Sequence, residues 1–266
     1  MFRPHEYTDT QLDVTKIGGA GDIGDPQPLG SPGVGWQPRL QGNIGYLEST
    51  NHIHGDPLEG DTSTFRDFAI QFGGGARFWL SHGLSVAPTI MGMYGHTSNT
   101  YTATSAFMRT NLARVRQLGL VDWRVETWTV RPALDIQYVL TWDRVIVTLS
   151  SDPTYFHTES FRSSNVGVAV NGESGSLANK IDFDIPLGVQ WRGHELRTGG
   201  YISRTELFGD VQEGLDVQHI NEVHVRLVSD FLNQLWKLQW LGIGGSYLWG
   251  TNIRGWTLGA DAAFRF

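Results

Sequence analysis

The chain has 266 residues, among them 33 Gly, 10 Trp and no Cys, and its formal net charge at pH 7 is −7. The lack of cysteine excludes a disulfide framework and thiolate metal sites. The negative charge argues against a nucleic-acid partner, because phosphate binding requires a basic surface. The sequence contains no run of about 18 apolar residues, so it predicts no transmembrane helix.

The N-terminal segment, residues 1–35, is the least regular part of the chain. A strand can be placed between His5 and Ile17, with Leu12 and Val14 as its apolar positions. A loop rich in Gly and Pro follows it. The start of the chain has no charged-then-apolar signal segment, so we expect a mature or trimmed form.

From Trp36 onward, apolar and polar residues alternate in most segments. Because strand side chains point alternately to opposite faces, this period of two predicts strands with one apolar and one polar face. Ten such segments are clear, and a tilted strand of roughly 9–11 residues can cross a membrane. The clearest is KIDFDIPLGVQW, residues 180–191, whose apolar positions are Ile181, Phe183, Ile185, Leu187, Val189 and Trp191.

Short and long connections alternate between these predicted strands. Short turns are expected near residues 82, 143, 194 and 233, and longer connections near 57, 110, 169 and 214, with a short exception near 252. This alternation is typical of membrane barrels, which have short periplasmic turns and long external loops. Residues 105–118 lack Gly and Pro and predict a short helix. It either lies on the rim or forms a basic plug in the lumen.

The alternation leaves open which face points inward, because a soluble barrel or sandwich would bury its apolar face. Two features favour the reverse arrangement. The polar face carries charges of both signs in nearly every strand, and the apolar face has too many large residues to fill a small barrel. We therefore predict an all-β, closed antiparallel transmembrane β-barrel at residues 36–266. It has ten clear strands, and twelve if residues 1–35 supply a first hairpin; those residues could instead form a lumen or periplasmic segment.

The inward polar side chains are the candidate functional set. They either form salt bridges that only stabilise the barrel or line a narrow pore and select its solutes. The predicted lumen-lining residues are Arg39, Asp67, Arg77, Arg131, Asp135, Asp182, Asp184, Glu222, His224, Arg226, Lys237, Asp261 and Arg265. Aromatic residues at the short-turn ends suit a membrane–water interface, because an indole ring is apolar while its N–H group favours water. That predicted set is Trp36, Trp142, Trp191, Trp236 and Phe266.

Other chemistries have weaker support in the sequence. His52 and His54 could share a metal, but no third ligand lies near them in the sequence. His157, Glu159 and Ser160 are residue types of a hydrolase site of the lipid A deacylase kind. However, positions 157 and 160 of one strand point to opposite faces. We therefore expect no catalytic residues, no metal and no cofactor. A soluble carbohydrate-binding β-protein is the remaining alternative.

Glycine and proline mark unusual positions within the predicted strands. The run from Gly73 to Gly75 lacks the helix and lysine of a phosphate loop, so close strand packing explains it better. Proline removes a donor from the strand ladder, and we expect bulges or displaced strand boundaries at Pro38, Pro88, Pro132 and Pro186.

The closing segment GWTLGADAAFRF, which ends at Phe266, resembles the insertion signal of bacterial outer-membrane β-barrels. With GWQPRLQGNIGYLES, VDWRVETWTVRPALDIQY and YFHTESFRSS, it resembles the solitary outer-membrane autotransporter-type barrel family over about residues 36–266. The resemblance implies a barrel akin to the twelve-stranded autotransporter translocator, made without a passenger domain, for which 35 preceding residues are too few. It offers no catalytic residues.

From this resemblance we expect the bacterial outer membrane as the location, with outer-membrane lipid and lipopolysaccharide as the surroundings. We also expect the barrel-assembly machinery to recognise the C-terminal strand ending at Phe266. The chain is expected to be a monomer.

Overall fold

The computed structural model describes residues 8–30, 33–191, 193–230, 238–251 and 253–264. Most of them lie in twelve strands, and two short helices and one 3-10 turn (Val166–Val168) occupy loops. The helices are α1 (Ala106–Gln117) and α2 (Asp210–Leu215). The strands are β1 (Thr8–Asp22), β2 (Gln27–Pro28), β3 (Gly35–Ile53), β4 (Thr62–Trp79), β5 (Leu84–Thr102), β6 (Arg124–Trp142), β7 (Val145–Ser163), β8 (Asn171–Trp191), β9 (His194–Gly209), β10 (His219–Asp230), β11 (Leu238–Gly250) and β12 (Arg254–Phe264).

The strands form one antiparallel sheet in the order β1-β3-β4-β5-β6-β7-β8-β9-β10-β11-β12, with β2 also paired to β3. The all-β prediction and the count of twelve strands are confirmed. The described part of the N-terminal segment does not supply the predicted hairpin of two barrel strands. It adds only β1 to the wall, because β2 has two residues and pairs with the same edge of β3 as β1 does. As a result, β1 and β12 run in the same direction at the two ends of the sheet. Within the described residues, no ladder joins these two strands.

Connection lengths differ between the two ends of the sheet. One end, the short-turn end, has the connections 80–83, 143–144 and 192–193. The other, the long-loop end, has the connections 54–61, 103–123, 164–170 and 210–218 and the short one 251–253. The alternation predicted from Trp36 onward is confirmed at these connections, whereas the turn predicted near residue 233 lies outside the described residues. Both helices lie at the long-loop end.

Helix α1 forms part of the rim. Its N-cap is Ser105, whose Oγ accepts a hydrogen bond from the Met108 N–H at 3.1 Å. Met108 is buried in a small cluster with Tyr101 and Val121, and Leu58 of the β3–β4 loop packs on the same cluster. These contacts hold the helix against neighbouring loops, so the structure has the rim arrangement and not the basic plug.

The sheet is curved with its polar face on the concave side. Arg39 Nη2 lies 3.7 Å from Asp135 Oδ2, although β4 and β5 separate their strands. On a flat sheet these strands would be roughly 14 Å apart, so both side chains reach inward across a curved surface. Concave-face residues such as Arg77 and Thr129 are at most 7% exposed.

The convex face is apolar and exposed. Its exposed side chains include Leu40, Phe72, Ile90, Tyr138, Ile181, Ile202 and Val225. An apolar face that points away from the centre confirms the predicted inside-out arrangement. It is also the opposite of what the soluble alternative requires.

Glycines allow two strands to approach closely where β4 meets β5. A Cβ on Gly75 would lie 1.9 Å from the Pro88 carbonyl oxygen, and one on Gly73 would lie 2.2 Å from that of Ile90. The interpretation of this run as close strand packing is therefore confirmed. Of the four strand prolines, Pro186 lies at a register shift, as expected. The prediction is wrong for the other three, Pro38, Pro88 and Pro132, whose ladders keep their register.

Candidate functional site

Arg77 is the centre of a polar network on the concave face of β1 to β6. Its guanidinium lies 3.0 Å from Asp22 Oδ2 and 3.1 Å from Asp135 Oδ2. It also donates to Gln137 Oε1 at 2.8 Å and to Ser85 Oγ at 3.0 Å. The side chain is only 9% exposed, so its charge is balanced by two carboxylates in a largely desolvated position.

Arg39 extends this network toward the edge of the sheet. Its Nη1 donates to Asp22 Oδ1 at 2.9 Å, and its Nη2 lies near Asp135. Two arginines and two aspartates thus connect four strands of the wall. Its two positive and two negative charges balance, so the network adds no net charge to the concave face.

A second network lies on β8, β9 and β10. Arg226 makes a bidentate pair with Asp182, with distances of 2.9 and 2.7 Å. Arg197 Nη1 lies 3.2 Å from Asp184 Oδ2 on the neighbouring strand. The second half of the wall is therefore also ion-paired.

Tyr201 links further polar side chains to this region. Its hydroxyl donates to Glu222 Oε1 at 2.7 Å, and its ring stacks on His224 at a centroid distance of 4.8 Å. His224 Nδ1 is 2.8 Å from Ser246 Oγ on β11. The polar row therefore continues to β11.

The structure brings together eight of the predicted lumen residues in these networks and their extension through Tyr201: Arg39, Arg77, Asp135, Asp182, Asp184, Glu222, His224 and Arg226. Asp67 instead accepts a hydrogen bond from Thr97 on β5. Arg131 lies 5.3 Å from the centre of the Phe156 ring and joins neither network. For Asp261 only the strand position is described, and Lys237 and Arg265 lie outside the described residues.

Sequence reasoning missed Asp22 and Arg197, both of which pair with predicted residues. Asp22 ends β1, in a stretch whose glycines hide the alternation. Arg197 lies two positions before Gly199, where a short apolar pattern gives little indication of the face. Strand parity could have placed Arg197 on the concave face, because it lies four positions before Tyr201 on β9 and alternate residues of a strand share a face.

The convex apolar band has a row of aromatic residues at each end. Near the short-turn end, Trp142 is 84% and Trp191 is 54% exposed, while Trp36 is partly buried. Trp236 and Phe266 lie outside the described residues. A second row, which sequence reasoning missed, lies toward the long-loop end and consists of Tyr46, Phe68, Tyr94, Trp128 and Tyr155.

Charged pairs begin just beyond the second aromatic row. Arg66 Nε lies 3.0 Å from Glu48 Oε2, and Arg162 Nη1 lies 3.3 Å from Glu126 Oε1. On β3 the apolar stretch runs from Trp36 to Tyr46, which is about the length of a tilted membrane-spanning strand. The change from aromatic to charged side chains would have indicated the second border from sequence.

The proposed hydrolase residues do not form a site. His157 pairs with Val130 of the convex face, and Ser160 pairs with Thr127 on the opposite face. The His157 ring contacts Trp128 and Glu159, whereas Ser160 Oγ accepts from the Val170 N–H at 3.0 Å. This geometry does not support the lipid A deacylase alternative.

His52 and His54, the candidate metal ligands at the end of β3, contact different residues. His52 Nδ1 lies 3.5 Å from Thr62 Oγ1, and His54 Nδ1 lies 3.5 Å from Glu59 Oε1. Within the part of the chain that the structure describes, no group of three or more His, Cys, Asp or Glu side chains could hold a metal ion. No helix among those residues is long and apolar enough to cross a bilayer.

Asp61, in the β3–β4 loop, joins that loop to the N-terminus of α1. Its carboxylate accepts from the Tyr101 hydroxyl at 2.8 Å, from the Thr104 N–H at 2.7 Å and from the Ser105 N–H at 2.7 Å. Burial raises the pKa of Asp61, but the donors, led by Ser105, outweigh it and hold the pKa below its usual value. The rim therefore depends on an ionised carboxylate.

A family model described as the solitary outer membrane autotransporter β-barrel domain matches residues 27–259. The crystal structure of the β domain of the Bordetella autotransporter BrkA is similar at a TM-score of 0.58 and 15% identity, covering 97% of this chain and 92% of that one. The transport unit of the autotransporter AIDA-I from Escherichia coli is similar at 0.61 and 8%, covering 97% and 85%. At these identities the likeness is one of fold. A search of curated proteins finds no match.

Proposed function

Because the chain belongs to the solitary outer membrane autotransporter β-barrel family, whose members reside in the bacterial outer membrane, we propose that it forms a narrow, charge-lined passage there. The observation that carries the proposal is the Arg77 network on the concave face. Its side chains extend from the wall into the space on the concave side of the sheet. They narrow that space and keep it polar.

We further propose that the barrel closes by joining its two end strands, β1 and β12. Each of them has one edge that is not used by its neighbour in the described ladder. An unpaired strand edge in the bilayer would leave backbone donors and acceptors without partners, which is strongly unfavourable. Because β1 and β12 run in the same direction, this seam would be parallel.

The strand number supports a small passage. Barrels of about eight strands are filled by side chains, whereas those of sixteen or more enclose an aqueous channel. Eleven of the described strands form the wall, because β2 pairs with the same edge of β3 as β1, and this number lies between these limits. With inward arginines and aspartates paired across the wall, we expect only small ions or solutes to pass.

Planar-bilayer conductance of the purified protein tests this proposal. We expect the parent to show a small conductance. The double variant Arg39→Gln, Arg77→Gln should conduct more and favour cations, because Asp22 and Asp135 lose their partners. The control is Arg66→Gln, on the convex face, which should conduct like the parent.

Two outcomes of the conductance experiment would contradict the proposal. A parent conductance as large as that of an open porin would show that the network does not narrow the passage. If parent and double variant both failed to conduct, only the structural role of the barrel would remain.

We propose that the barrel has no enzymatic activity. The separation of His157 and Ser160 on opposite faces supports this, because a nucleophile and its base must be within hydrogen-bonding distance. Unchanged lipid A on overexpression of the parent is the expected result, and a modified lipid profile that disappears in His157→Ala would contradict it.

We also propose that the barrel-assembly machinery recognises β12 together with Phe266, because strand addition to a free edge is a common way of binding an extended segment. Phe266→Ala should slow assembly into the outer membrane without changing the folded barrel. The remaining expected partners are outer-membrane lipid and lipopolysaccharide. With a net charge of −7, nucleic acid is not a proposed partner, and we propose a monomer.

A further inference from the structure

Five exposed arginines are concentrated at the long-loop end of β5, β6 and β7. Three lie on α1, one begins β6 and one lies near the end of β7; they are Arg109, Arg114, Arg116, Arg124 and Arg162, here called the arginine patch. The whole chain has 20 Lys and Arg against 27 Asp and Glu. The local excess of positive charge is therefore opposite in sign to that of the protein.

Hydrogen bonds between loops hold the parts of this patch together. The Arg124 N–H donates to Ser164 Oγ at 3.0 Å, and the Ser164 N–H donates to the Arg124 carbonyl at 2.9 Å. Asn165 Nδ2 donates to the Gln117 carbonyl at the end of α1, at 3.3 Å. The last turn of α1, which carries two of the arginines, is thus fixed beside the start of β6 and the end of β7.

A bulge places an aromatic ring next to the patch. The β6–β7 ladder has a register shift, and Phe161 is the extra residue on β7, next to Arg162, which pairs with Glu126. Bulges redirect side chains. Here the Phe161 ring lies 6.2 Å from that of Tyr94, on the convex face, and Trp128 is the cross-strand neighbour of Tyr94.

Exposed arginines beside exposed aromatic side chains match a phosphorylated lipid, which has both anionic groups and acyl chains. On β6, the convex positions next beyond Trp128 are Glu126, which pairs with Arg162, and Arg124. The exposed apolar side chains Leu118 and Leu120 lie in the connection between α1 and β6. Arg116 and Arg162 each contact one carboxylate, but a guanidinium has five N–H donors, so donors remain for a phosphate. Phosphates would meet the arginines, and acyl chains would lie against the aromatic rings below.

We propose that the arginine patch binds the phosphate groups of a lipid A-type glycolipid in the outer leaflet, with its acyl chains on Tyr94, Trp128 and Phe161. This rests on the proposed function, because the long-loop end must face the outside for the patch to meet that leaflet. Several arginines spread over two strands and a helix fit a headgroup with two separate phosphates better than a phospholipid with one.

The experiment measures binding of lipids to the refolded protein in detergent, by native mass spectrometry. The probes are diphosphorylated lipid A, lipid A from which both phosphates have been removed, and phosphatidylglycerol. The variants are Arg124→Gln with Arg162→Gln, and Arg114→Gln with Arg116→Gln, so that failure of one pair to fold does not end the test. The matched control is Arg66→Gln with Arg204→Gln, two exposed arginines on other strands.

We expect the parent and the control to prefer diphosphorylated lipid A over both other lipids. Each patch variant should bind it roughly 10- to 30-fold more weakly, as expected for loss of two surface cations. Equal binding of the phosphorylated and dephosphorylated lipid by the parent would overturn the proposal. So would an unchanged affinity in both patch variants, equal loss in the control, or equal binding of phosphatidylglycerol. Arg124 and Arg162 lie on the convex face, so conductance of their double variant should match the parent, and a failed binding test leaves the passage itself unaffected.

Discussion

Arg226 on β10 pairs with Asp182 on β8 across the intervening strand β9, with both guanidinium Nη atoms donating to the carboxylate. Two strand spacings amount to roughly 10 Å, so the pair can form only above the concave face of the middle strand. The residue beneath it is Gly199, where a Cβ would lie 3.0 Å from Arg226 Nε. A small residue on β9 therefore makes room for the ion pair.

A double-mutant cycle on this pair should give a measurable coupling energy. Asp182→Asn and Arg226→Gln each remove one charge, and because both side chains are less than a fifth exposed, we expect a coupling of about 1–3 kcal/mol. The measurement is urea unfolding from lipid vesicles. As a control, Arg204 and Glu206 form a more exposed pair, for which about 0–1 kcal/mol is expected. Equal coupling energies in the two pairs would mean that the position on the concave face does not strengthen the interaction between Asp182 and Arg226.

Gly75→Ala should destabilise the barrel by about 1–3 kcal/mol, because the new methyl group would collide with the Pro88 carbonyl oxygen and push β4 away from β5. Unfolding of the variant in lipid vesicles measures this loss. Gly92→Ala, on β5, is the matched control, since nothing beyond its own chain neighbours lies within 4 Å of the position that its new methyl group would take. Equal free energies of unfolding for the two variants would show that β4 and β5 can move apart without loss of stability.

The rim should loosen in acid because Asp61 has a pKa below its usual value in the folded state. A group of this kind stabilises above its unfolded pKa of about 3.9, and the stabilisation is lost as pH falls through the lower, folded value. Protease cleavage within residues 103–123, measured between pH 7 and pH 2, should therefore increase only at the acid end. Asp61→Asn should be cleaved readily at pH 7 already.

The control for the rim experiment is Asp56→Asn, an exposed residue of the same loop. It should behave like the parent at every pH. If Asp61→Asn resisted cleavage as well as this control did, the carboxylate would not be holding α1 in place.

Cysteine cross-linking tests the proposed seam between β1 and β12, and the lack of native cysteine makes the result unambiguous. Ile17→Cys, on the convex side of β1, is combined in turn with Cys at Trp256, Leu258 and Ala260 of β12. We expect one of these pairs to form a disulfide on mild oxidation, because paired strands bring Cα atoms within its range. Ile17→Cys with Val225→Cys on β10 should remain reduced. Failure of all three β12 partners would contradict the seam.

Much of the wall could be predicted from sequence because period two fixes which residues share a face. Arg39, Arg77 and Asp135 are assigned to one surface from parity alone, and the structure joins them. Which partner each arginine takes is beyond this reasoning, because pairs such as Arg39 with Asp135 depend on curvature over several strands. The alternation in the sequence shows on which face of the sheet a residue lies, whereas register and curvature determine which residues come into contact.

The N-terminal segment shows where the pattern stops being informative. In β1, Ile17 pairs with Ile44 and so shares its convex face, whereas the predicted apolar positions Leu12 and Val14 have the opposite parity. Glycines between Ile17 and Asp22 leave too few side chains to reveal the correct phase. The proline predictions failed for a related reason: the sequence does not show whether the N–H group lost at Pro38 would have had a partner.

The central claim is that the apolar face meets lipid and the polar face meets water, and two adjacent residues of β7 test it most directly. Leu149 is convex and 38% exposed, whereas Thr148 pairs with Asp182 of the concave face. The measurement is the free energy of folding into lipid vesicles for Leu149→Arg and for Thr148→Arg. We predict a loss of about 2–4 kcal/mol for Leu149→Arg, the cost of a lipid-facing arginine near the bilayer midplane, and little change for Thr148→Arg. Equal costs, or a greater cost at Thr148, would contradict the account.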